Sequence, residues 1–137
     1  MIRLIYTSYA TVPFSTTDLD ALLEVSRRNN LRDEITGMLV FHDGNFLQVL
    51  EGDEEVVKSA FSRIEADNRH SGIIELDESV VAQRDFTGWS MGFKRMSSSD
   101  SPEGFIEFFS RSFDANTIVT RSSEAMEILL SFKESSR

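Results

Sequence analysis

The chain contains no cysteine and only two histidines, His42 and His70, among its 137 residues. Without thiols it cannot form disulfide bonds or thiolate metal sites, and two imidazoles are too few to suggest a histidine cluster. We therefore expect no bound metal. Basic residues are also scarce, because 14 lysines and arginines stand against 23 aspartates and glutamates, for a net charge of −9. This balance argues against a nucleic-acid partner and against an anionic membrane surface.

Long apolar runs and catalytic signatures are missing as well. The first residues enter a strand-like pattern directly, and no stretch is long enough to span a membrane, so we expect a cytoplasmic protein. There is no Ser-His-Asp or Cys-His arrangement, no phosphate-binding loop and no G-x-G-x-x-G motif. The sequence therefore favours a protein that is not an enzyme. Its apolar content of 40% is enough for one core.

Apolar periodicity predicts a β-α-β-β-α-β-β order in the first part of the chain. Two-residue alternation indicates strands at 2–8, 35–41, 46–50, 73–82 and 89–93, and helical spacing indicates helices at 17–30 and from 52 to about 67. Thr17 is the expected cap of the first helix, and Asp43-Gly44 suits a type I′ hairpin turn. This order is typical of the ferredoxin-like α+β fold, with both helices on one sheet face. We expect its first and third strands to be adjacent and parallel.

The second face of such a sheet needs a cover, because an exposed apolar sheet is prone to aggregate. A serine-rich stretch at 97–101 reads as a linker, and apolar helical stripes follow at 105–113 and 125–132. We predict a domain at 1–96 and, at 97–137, a linker with a two-helix cap on the second sheet face. The alternative, a dimerisation or docking surface, is compatible with such a cap.

Gln48 is the most unusual residue of the predicted sheet. It lies in the apolar run Phe46-Leu47-Gln48-Val49-Leu50, and alternation carries its amide into the core. Tyr6 is expected on the neighbouring strand, while Ser26 and Asn30 fall on the apolar stripe of the first helix. A buried amide needs a hydrogen-bonding partner, and backbone groups of the core would also serve.

Six short segments occur in order between residue 1 and about residue 96. They are Leu4-Ile5-Tyr6-Thr7-Ser8, Asn29-Asn30, Ile35-Thr36-Gly37, Gly44-Asn45-Phe46-Leu47-Gln48-Val49-Leu50-Glu51-Gly52, Asp67-Asn68-Arg69-His70 and Phe86-Thr87-Gly88-Trp89-Ser90-Met91-Gly92-Phe93. Together they resemble the BLUF domain, a blue-light sensor that uses flavin. Six matches on the expected elements make the resemblance specific, and the ferredoxin-like prediction agrees with it.

The resemblance implies a non-covalent FAD between the two helices, with its ring over the sheet near Tyr6 and Gln48. The cofactor-binding residues that it implies are Asn29, Asn30, Ile35, Phe46, Gln48, Arg63, Ile64, Asp67, Arg69 and His70. Of these, the guanidinium groups of Arg63 and Arg69 suit a diphosphate best. The apolar residues would form the walls of the site around the ring.

The same resemblance implies a reversible photochemical switch. Excited flavin would draw an electron and a proton from Tyr6 through Gln48, whose amide would then rotate or tautomerise and shift the flavin absorption to the red. Trp89 and Met91, expected on one side of the last strand, would exchange contacts with this amide, and Ser26 would bond within the network.

Output would go through an unidentified effector protein, because no catalytic module fits after residue 96, and homo-oligomers are expected. The alternatives are a ferredoxin-like ligand-binding or dimerisation module without photochemistry, and a small flavin enzyme.

Overall fold

A computed structural model describes residues 1–95 and 125–131 of the chain. The strands are β1 (Ile2–Ala10), β2 (Thr36–His42), β3 (Asn45–Gly52), β4 (His70–Val80) and β5 (Gly92–Arg95), and the longer helices are α1 (Thr16–Asp33) and α2 (Glu54–Glu65). Residues 125–131 are also helical and are called α3. Within these residues no helix combines the length and apolar character needed to cross a membrane.

The sheet has the order β4-β1-β3-β2-β5, which confirms the ferredoxin-like prediction. β1 and β3 are neighbours, as expected, but they run antiparallel, so the predicted parallel pairing is wrong. The reason lies in the connections. The crossover through α1 returns the chain so that β2 runs in the direction of β1, and the β2–β3 hairpin then reverses it. β5 is an edge strand of the sheet and runs parallel to its neighbour β2.

Local sequence signals explain the turn and the start of the first helix. Asp43 and Gly44 have φ values of 46° and 79°, as a type I′ hairpin turn requires. α1 begins earlier than predicted, because Ser15 rather than Thr17 is its N-cap. The Ser15 hydroxyl accepts a hydrogen bond from the Asp18 backbone N–H, and the Asp18 carboxylate accepts one from the Ser15 N–H. This reciprocal capping box satisfies two backbone donors at the helix start.

The two sheet faces carry separate cores. The first lies under α1 and α2 and consists mainly of Ile2, Leu4, Tyr6, Leu19, Leu23, Ile35, Leu39, Phe41, Phe46, Leu50, Val57, Ala60, Phe61 and Met91. The second contains Ile5, Met38, Val40, Leu47, Val49, Leu76 and Phe86 together with Ala125, Ile128 and Leu129 of α3. α3 therefore covers the second face, as predicted for that segment. The predicted helix at 105–113 lies outside the described residues.

The last strand starts later than its apolar pattern suggests. β5 begins at Gly92 and not at Trp89, and β4 covers His70–Val80 instead of 73–82. Residues 81–91 between these strands form no regular element. This connection is held in place by polar contacts with the end of β3.

Glu51, at the end of β3, is fully buried and anchors this connection. Its carboxylate accepts hydrogen bonds from the backbone N–H groups of Asp85 (2.7 Å) and Phe86 (3.0 Å) and from the Thr36 hydroxyl (2.8 Å). The Arg84 guanidinium donates to the Glu51 backbone carbonyl and to the Thr36 hydroxyl. Two charged side chains thus attach the start of the connection to β2 and β3.

We predict that Glu51→Gln lowers the free energy of unfolding by about 1–3 kcal/mol. Each carboxylate oxygen accepts a hydrogen bond from a backbone N–H. In glutamine one of these oxygens becomes an NH₂ group, which would face a backbone N–H and could not accept its hydrogen bond. Chemical denaturation measures the change.

The control is Glu24→Gln, the same substitution at an exposed position of α1. We expect its unfolding free energy to stay within about 0.5 kcal/mol of the parent. Equal stabilities of the two variants would contradict an anchoring role for Glu51.

Candidate functional site

A cleft opens between α1, α2 and the sheet face that they cover. It is lined by Tyr6, Phe14, Leu22, Ser26, Leu39, Phe46, Gln48, Ile64, Asp67, Arg69 and His70. The cleft has a cavity volume of about 80 Å³. Sites for organic ligands usually measure about 300–1,000 Å³, so side chains at the mouth must move apart to admit a ring system.

Tyr6 and Gln48 form the polar centre of the cleft floor. They are directly opposite each other in the antiparallel β1–β3 pair. The Tyr6 hydroxyl donates a hydrogen bond to Gln48 Oε1, and both side chains are buried. Burial raises the pKa of the Tyr6 phenol far above its ordinary value, with a smaller contribution from the negative charge of Asp67. The phenol therefore keeps its proton and acts as the donor.

Gln48 continues the chain of hydrogen bonds to Met91. Its Nε2 donates to Met91 Sδ at 3.4 Å. A thioether is a weak acceptor, and the amide nitrogen carries two N–H groups, so the donor capacity of Gln48 is poorly used within the described residues. The amide thus has a strong partner on its oxygen and a weak one on its nitrogen, while it faces the cleft.

Charged and polar groups surround one side of the cleft mouth. Hydrogen bonds from the Arg69 side chain lower the pKa of Asp67 to about 2, so this carboxylate is ionised at neutral pH. His70 Nε2 lies 2.6 Å from the Ile64 carbonyl, which can only accept, and Nδ1 lies 2.8 Å from the Ser8 hydroxyl. In the neutral form Nε2 must therefore carry the proton. These contacts fix the imidazole ring beside Tyr6, 6.5 Å away between centroids.

The cleft brings together eight residues that the sequence singled out, namely Tyr6, Ser26, Phe46, Gln48, Ile64, Asp67, Arg69 and His70. Met91 joins them through its bond to Gln48. Five other predicted residues lie outside the lining, namely Asn29, Asn30, Ile35, Arg63 and Trp89. Asn30 is buried but donates to the Ser90 carbonyl at 2.7 Å, Asn29 is half-buried on α1 outside the lining, and Ile35 is core beneath the end of α1.

Arg63 lies apart from Arg69. Its guanidinium contacts Asp33 at 3.4 Å, near the C-terminal end of α1. The pKa of Asp18, near the start of α1, is lowered chiefly by its hydrogen bonds with Ser15 and to a smaller extent by the positive charge of Arg69 nearby. The two aspartates are roughly 20 Å apart along the helix, at a rise of about 1.5 Å per residue. The two guanidinium groups therefore do not converge on one diphosphate in this arrangement.

The expectation that Trp89 and Met91 face the same side is wrong. Met91 belongs to the core under α1 and α2, whereas Trp89 packs against the core on the second face. Strand alternation does not apply to them, because residues 89–91 precede β5 and are not extended strand. Within the described residues Trp89 therefore lies across the sheet from the cleft.

Several residues of the site were not predicted from the sequence. Phe14, Leu22 and Leu39 line the cleft, but each looks like ordinary core in an apolar pattern. Arg27 donates from Nε to the Met91 backbone carbonyl at 2.9 Å. An arginine on the polar side of an amphipathic helix gives no sign of such a contact, because most such residues are solvated.

The donor set of the cleft fits a flavin. A flavin ring has an apolar body with carbonyl and N–H groups at one edge, which matches aromatic and aliphatic walls around the Gln48 amide. The Ser26 hydroxyl lies in the wall without a recorded hydrogen bond to another described residue. Arg69 supplies an exposed guanidinium at the mouth. In the described ranges no group of three or more metal-ligating side chains occurs.

Comparison with known proteins agrees with this geometry. The family model BLUF, described as sensors of blue-light using FAD, matches residues 1–92. The photoactivated adenylate cyclase subunit beta of Euglena longa is 32% identical over 89 residues, which are 64% of this chain and 10% of that protein. The blue light- and temperature-regulated antirepressor BluF of Escherichia coli (strain K12) is 36% identical over 73 residues, or 53% of this chain and 18% of that protein. The chain thus spans less than a fifth of these curated relatives.

A solved structure extends the similarity to most of the chain. BlrB, described as a BLUF protein in its dark state, is 25% identical, with a TM-score of 0.74 over 91% of this chain and 93% of that chain. The family match includes Tyr6, Gln48 and Met91, which form the hydrogen-bonded centre of the cleft. The chain therefore belongs to the BLUF family, the sensors of blue light that use FAD.

Proposed function

We propose that this chain is a blue-light photoreceptor in which FAD binds non-covalently in the cleft and Gln48 is the side chain that switches. The observation that supports this most strongly is the chain of hydrogen bonds from the Tyr6 hydroxyl through the Gln48 amide to Met91. These groups are buried at the floor of a cleft whose walls suit a flavin. The amide can both accept and donate, so its two ends can exchange roles.

The residues that would hold the cofactor come from the cleft and its borders. Phe46 and Ile64 would contact the ring, Ser26 and Gln48 would bond its polar edge, and Arg69, Asp67 and His70 would contact the remainder of the cofactor. Asn29, Asn30, Ile35 and Arg63 would join only after rearrangement, since Asn30 bonds Ser90 and Arg63 bonds Asp33. When bound, flavin supplies absorption of blue light and an excited state that accepts an electron.

Tyr6 is the donor of the electron and the proton. Its phenol is protonated at neutral pH, because burial raises its pKa. Its hydroxyl proton already points to Gln48 Oε1, so a proton that leaves Tyr6 reaches the amide oxygen without any prior movement. The Phe61 and His70 rings beside the phenol restrict its rotation. Tyr6 is thus held in the geometry that proton transfer requires.

Gln48 converts this transfer into a change of contacts. If its amide rotates, the nitrogen faces Tyr6 and the oxygen faces the sulfur of Met91. Oxygen and thioether sulfur are both acceptors, so this contact loses its hydrogen bond. A tautomerised amide likewise presents altered donors and acceptors to its neighbours. After rotation Met91 loses the partner that it has in the resting arrangement, and the segment that carries it can adjust.

The path from Met91 leads to the second face of the sheet. Trp89 lies two residues before Met91 and packs on that face, and Phe86 belongs to the same core as Ala125, Ile128 and Leu129 of α3. A shift at Met91 would therefore change how α3 packs on this face. We propose that an effector protein reads this change and that the chain self-associates in the cytoplasm. A coupling of 1–3 kcal/mol would change partner affinity about 5- to 150-fold.

For the function itself, we predict that the FAD-loaded protein shows a reversible red shift of absorbance under blue light and that Tyr6→Phe abolishes the shift. Phenylalanine preserves the packing but removes the hydroxyl that donates to Gln48. Absorbance before, during and after illumination measures the effect.

The matched control is Tyr9→Phe, since the chain has two tyrosines and Tyr9 is 53% exposed. This variant should keep the native shift. A normal reversible shift in Tyr6→Phe would refute the mechanism. A parent protein that does not take up FAD would favour a module without photochemistry, and turnover of a reductant such as NADH would favour a flavin enzyme.

For the coupling step, we predict that Met91→Leu keeps the red shift but slows the return to the dark state roughly 2- to 5-fold. Leucine preserves the volume and removes the sulfur that accepts the Gln48 N–H, a loss of about 0.5–1 kcal/mol from the dark arrangement. The rate at which absorbance recovers after a light pulse measures this slowing.

The control is Met38→Leu, the same substitution at a buried methionine of the second core, which should recover at the native rate. Identical recovery in both variants would exclude Met91 from the switch.

A further inference from the structure

We propose that Arg27 is a positioning residue that holds Met91 in place against Gln48. The light-dependent part of this inference rests on the proposed function, whereas the geometry does not. Arg27 lies on α1 beside Ser26, which lines the cleft, and its Nε donates to the Met91 backbone carbonyl at 2.9 Å. One helix therefore forms a wall of the cleft and also holds the residue that Gln48 contacts.

The sheet holds the chain on either side of Met91 but not Met91 itself. Before it, the Gly37 backbone N–H of β2 donates to the Trp89 carbonyl at 3.0 Å. The parallel ladder between β2 and β5 begins with Met38 opposite Gly92, one residue after Met91. The bond between Gln48 Nε2 and Met91 Sδ is 3.4 Å long and has a weak acceptor, so it cannot fix the methionine on its own. Gly88, with a φ of 83°, lies just before this stretch in a conformation that other residues rarely adopt. Contacts with other elements must therefore position Ser90 and Met91.

Two side chains of α1 provide adjacent contacts. Arg27 bonds the Met91 carbonyl, and Asn30 donates to the Ser90 carbonyl at 2.7 Å. Residues three apart on a helix lie on the same side, so both donors reach consecutive peptide groups of the segment. Two adjacent hydrogen bonds fix the direction of the backbone at Ser90 and Met91, whereas a single bond would allow this backbone to rotate about it. That direction determines where the Met91 side chain points.

The charge of Arg27 is available for this contact. No ion pair between Arg27 and another described residue competes with the Met91 carbonyl, whereas Arg32 and Arg63 both pair with Asp33. A hydrogen bond from a guanidinium is stronger than one from a neutral donor. The next residue, Arg28, is exposed on α1 and has no recorded polar contact within the described residues. It is therefore a matched control for a change of charge at the same place.

The decisive experiment is methyl NMR of the protein labelled at methionine, recorded in the dark on Arg27→Gln, Arg27→Lys and Arg28→Gln. The sequence has five methionines, and Met91→Leu identifies the Met91 signal. We expect Arg27→Gln to shift or broaden this signal, and Arg27→Lys, which keeps a charged donor, to restore most of it. Arg28→Gln should leave it at its native position. Thermal unfolding of the three variants should differ by no more than a few degrees, since both arginines are exposed.

The kinetic part uses the FAD-loaded variants. We expect Arg27→Gln to retain the red shift and to return to the dark state roughly 3- to 10-fold more slowly, the range that one ordinary hydrogen bond represents. Arg28→Gln should recover at the native rate. A Met91 methyl signal that is the same in Arg27→Gln and Arg28→Gln overturns the proposal. If the parent protein shows no light response, the proposed function fails, but the dark NMR comparison still decides whether Arg27 positions Met91.

Discussion

The site depends on the hydrogen bond between the Tyr6 hydroxyl and the Gln48 amide oxygen. Both groups are buried in an apolar core, and an amide buried there without a partner would cost about 1–3 kcal/mol. The antiparallel register places the two residues directly opposite each other, so the bond forms without displacement of either strand. The thioether of Met91 can only accept, so the resting orientation, with the amide nitrogen toward Met91 and the amide oxygen toward the phenol, gives both neighbours a hydrogen bond.

This bond lies on one face of the sheet, and a single segment connects it to the other face. The cleft and its polar floor lie on the α1–α2 face, whereas α3 packs on the other. Residues 86–91 link the faces, since Met91 belongs to the first core and Phe86 to the second. This segment is irregular but well anchored, by Glu51 at one end and by α1 side chains at the other. In the proposed switch, this segment would carry a change at Gln48 to the second face while its two ends stay attached to the sheet and to α1.

Much of the fold could be predicted from the sequence, because periodicity reports directly on burial. The order of the elements, the Asp43-Gly44 turn and the position of Tyr6 on the strand next to Gln48 are confirmed. Gln48 stood out because a polar residue in an apolar strand must have a partner. The antiparallel direction of β3 was missed although it follows from the connections, and Ser15 was missed because Thr17 has similar capping properties.

The rest depended on contacts that leave no pattern in the sequence. Trp89 and Met91 fall on opposite faces because the chain is irregular before Gly92, and alternation holds only in extended strands. Arg27 and Glu51 bond backbone groups far away in the sequence, so neither is marked by its neighbours. Arg63 and Arg69 looked equivalent as phosphate ligands, yet they lie near opposite ends of α1. Site roles therefore required coordinates, even where the family could be recognised.

The central claim is that Gln48 changes its hydrogen bonds when the protein absorbs light. Gln48 and Gln83 are the glutamines of the sequence, so labelling glutamine side chains with ¹⁵N gives two amide groups, and exposed Gln83 serves as an internal reference. NMR of the FAD-loaded protein should show that the Gln48 amide signals move under blue light and return in the dark, while those of Gln83 stay in place. A reversible red shift of absorbance with unchanged Gln48 signals would contradict the account.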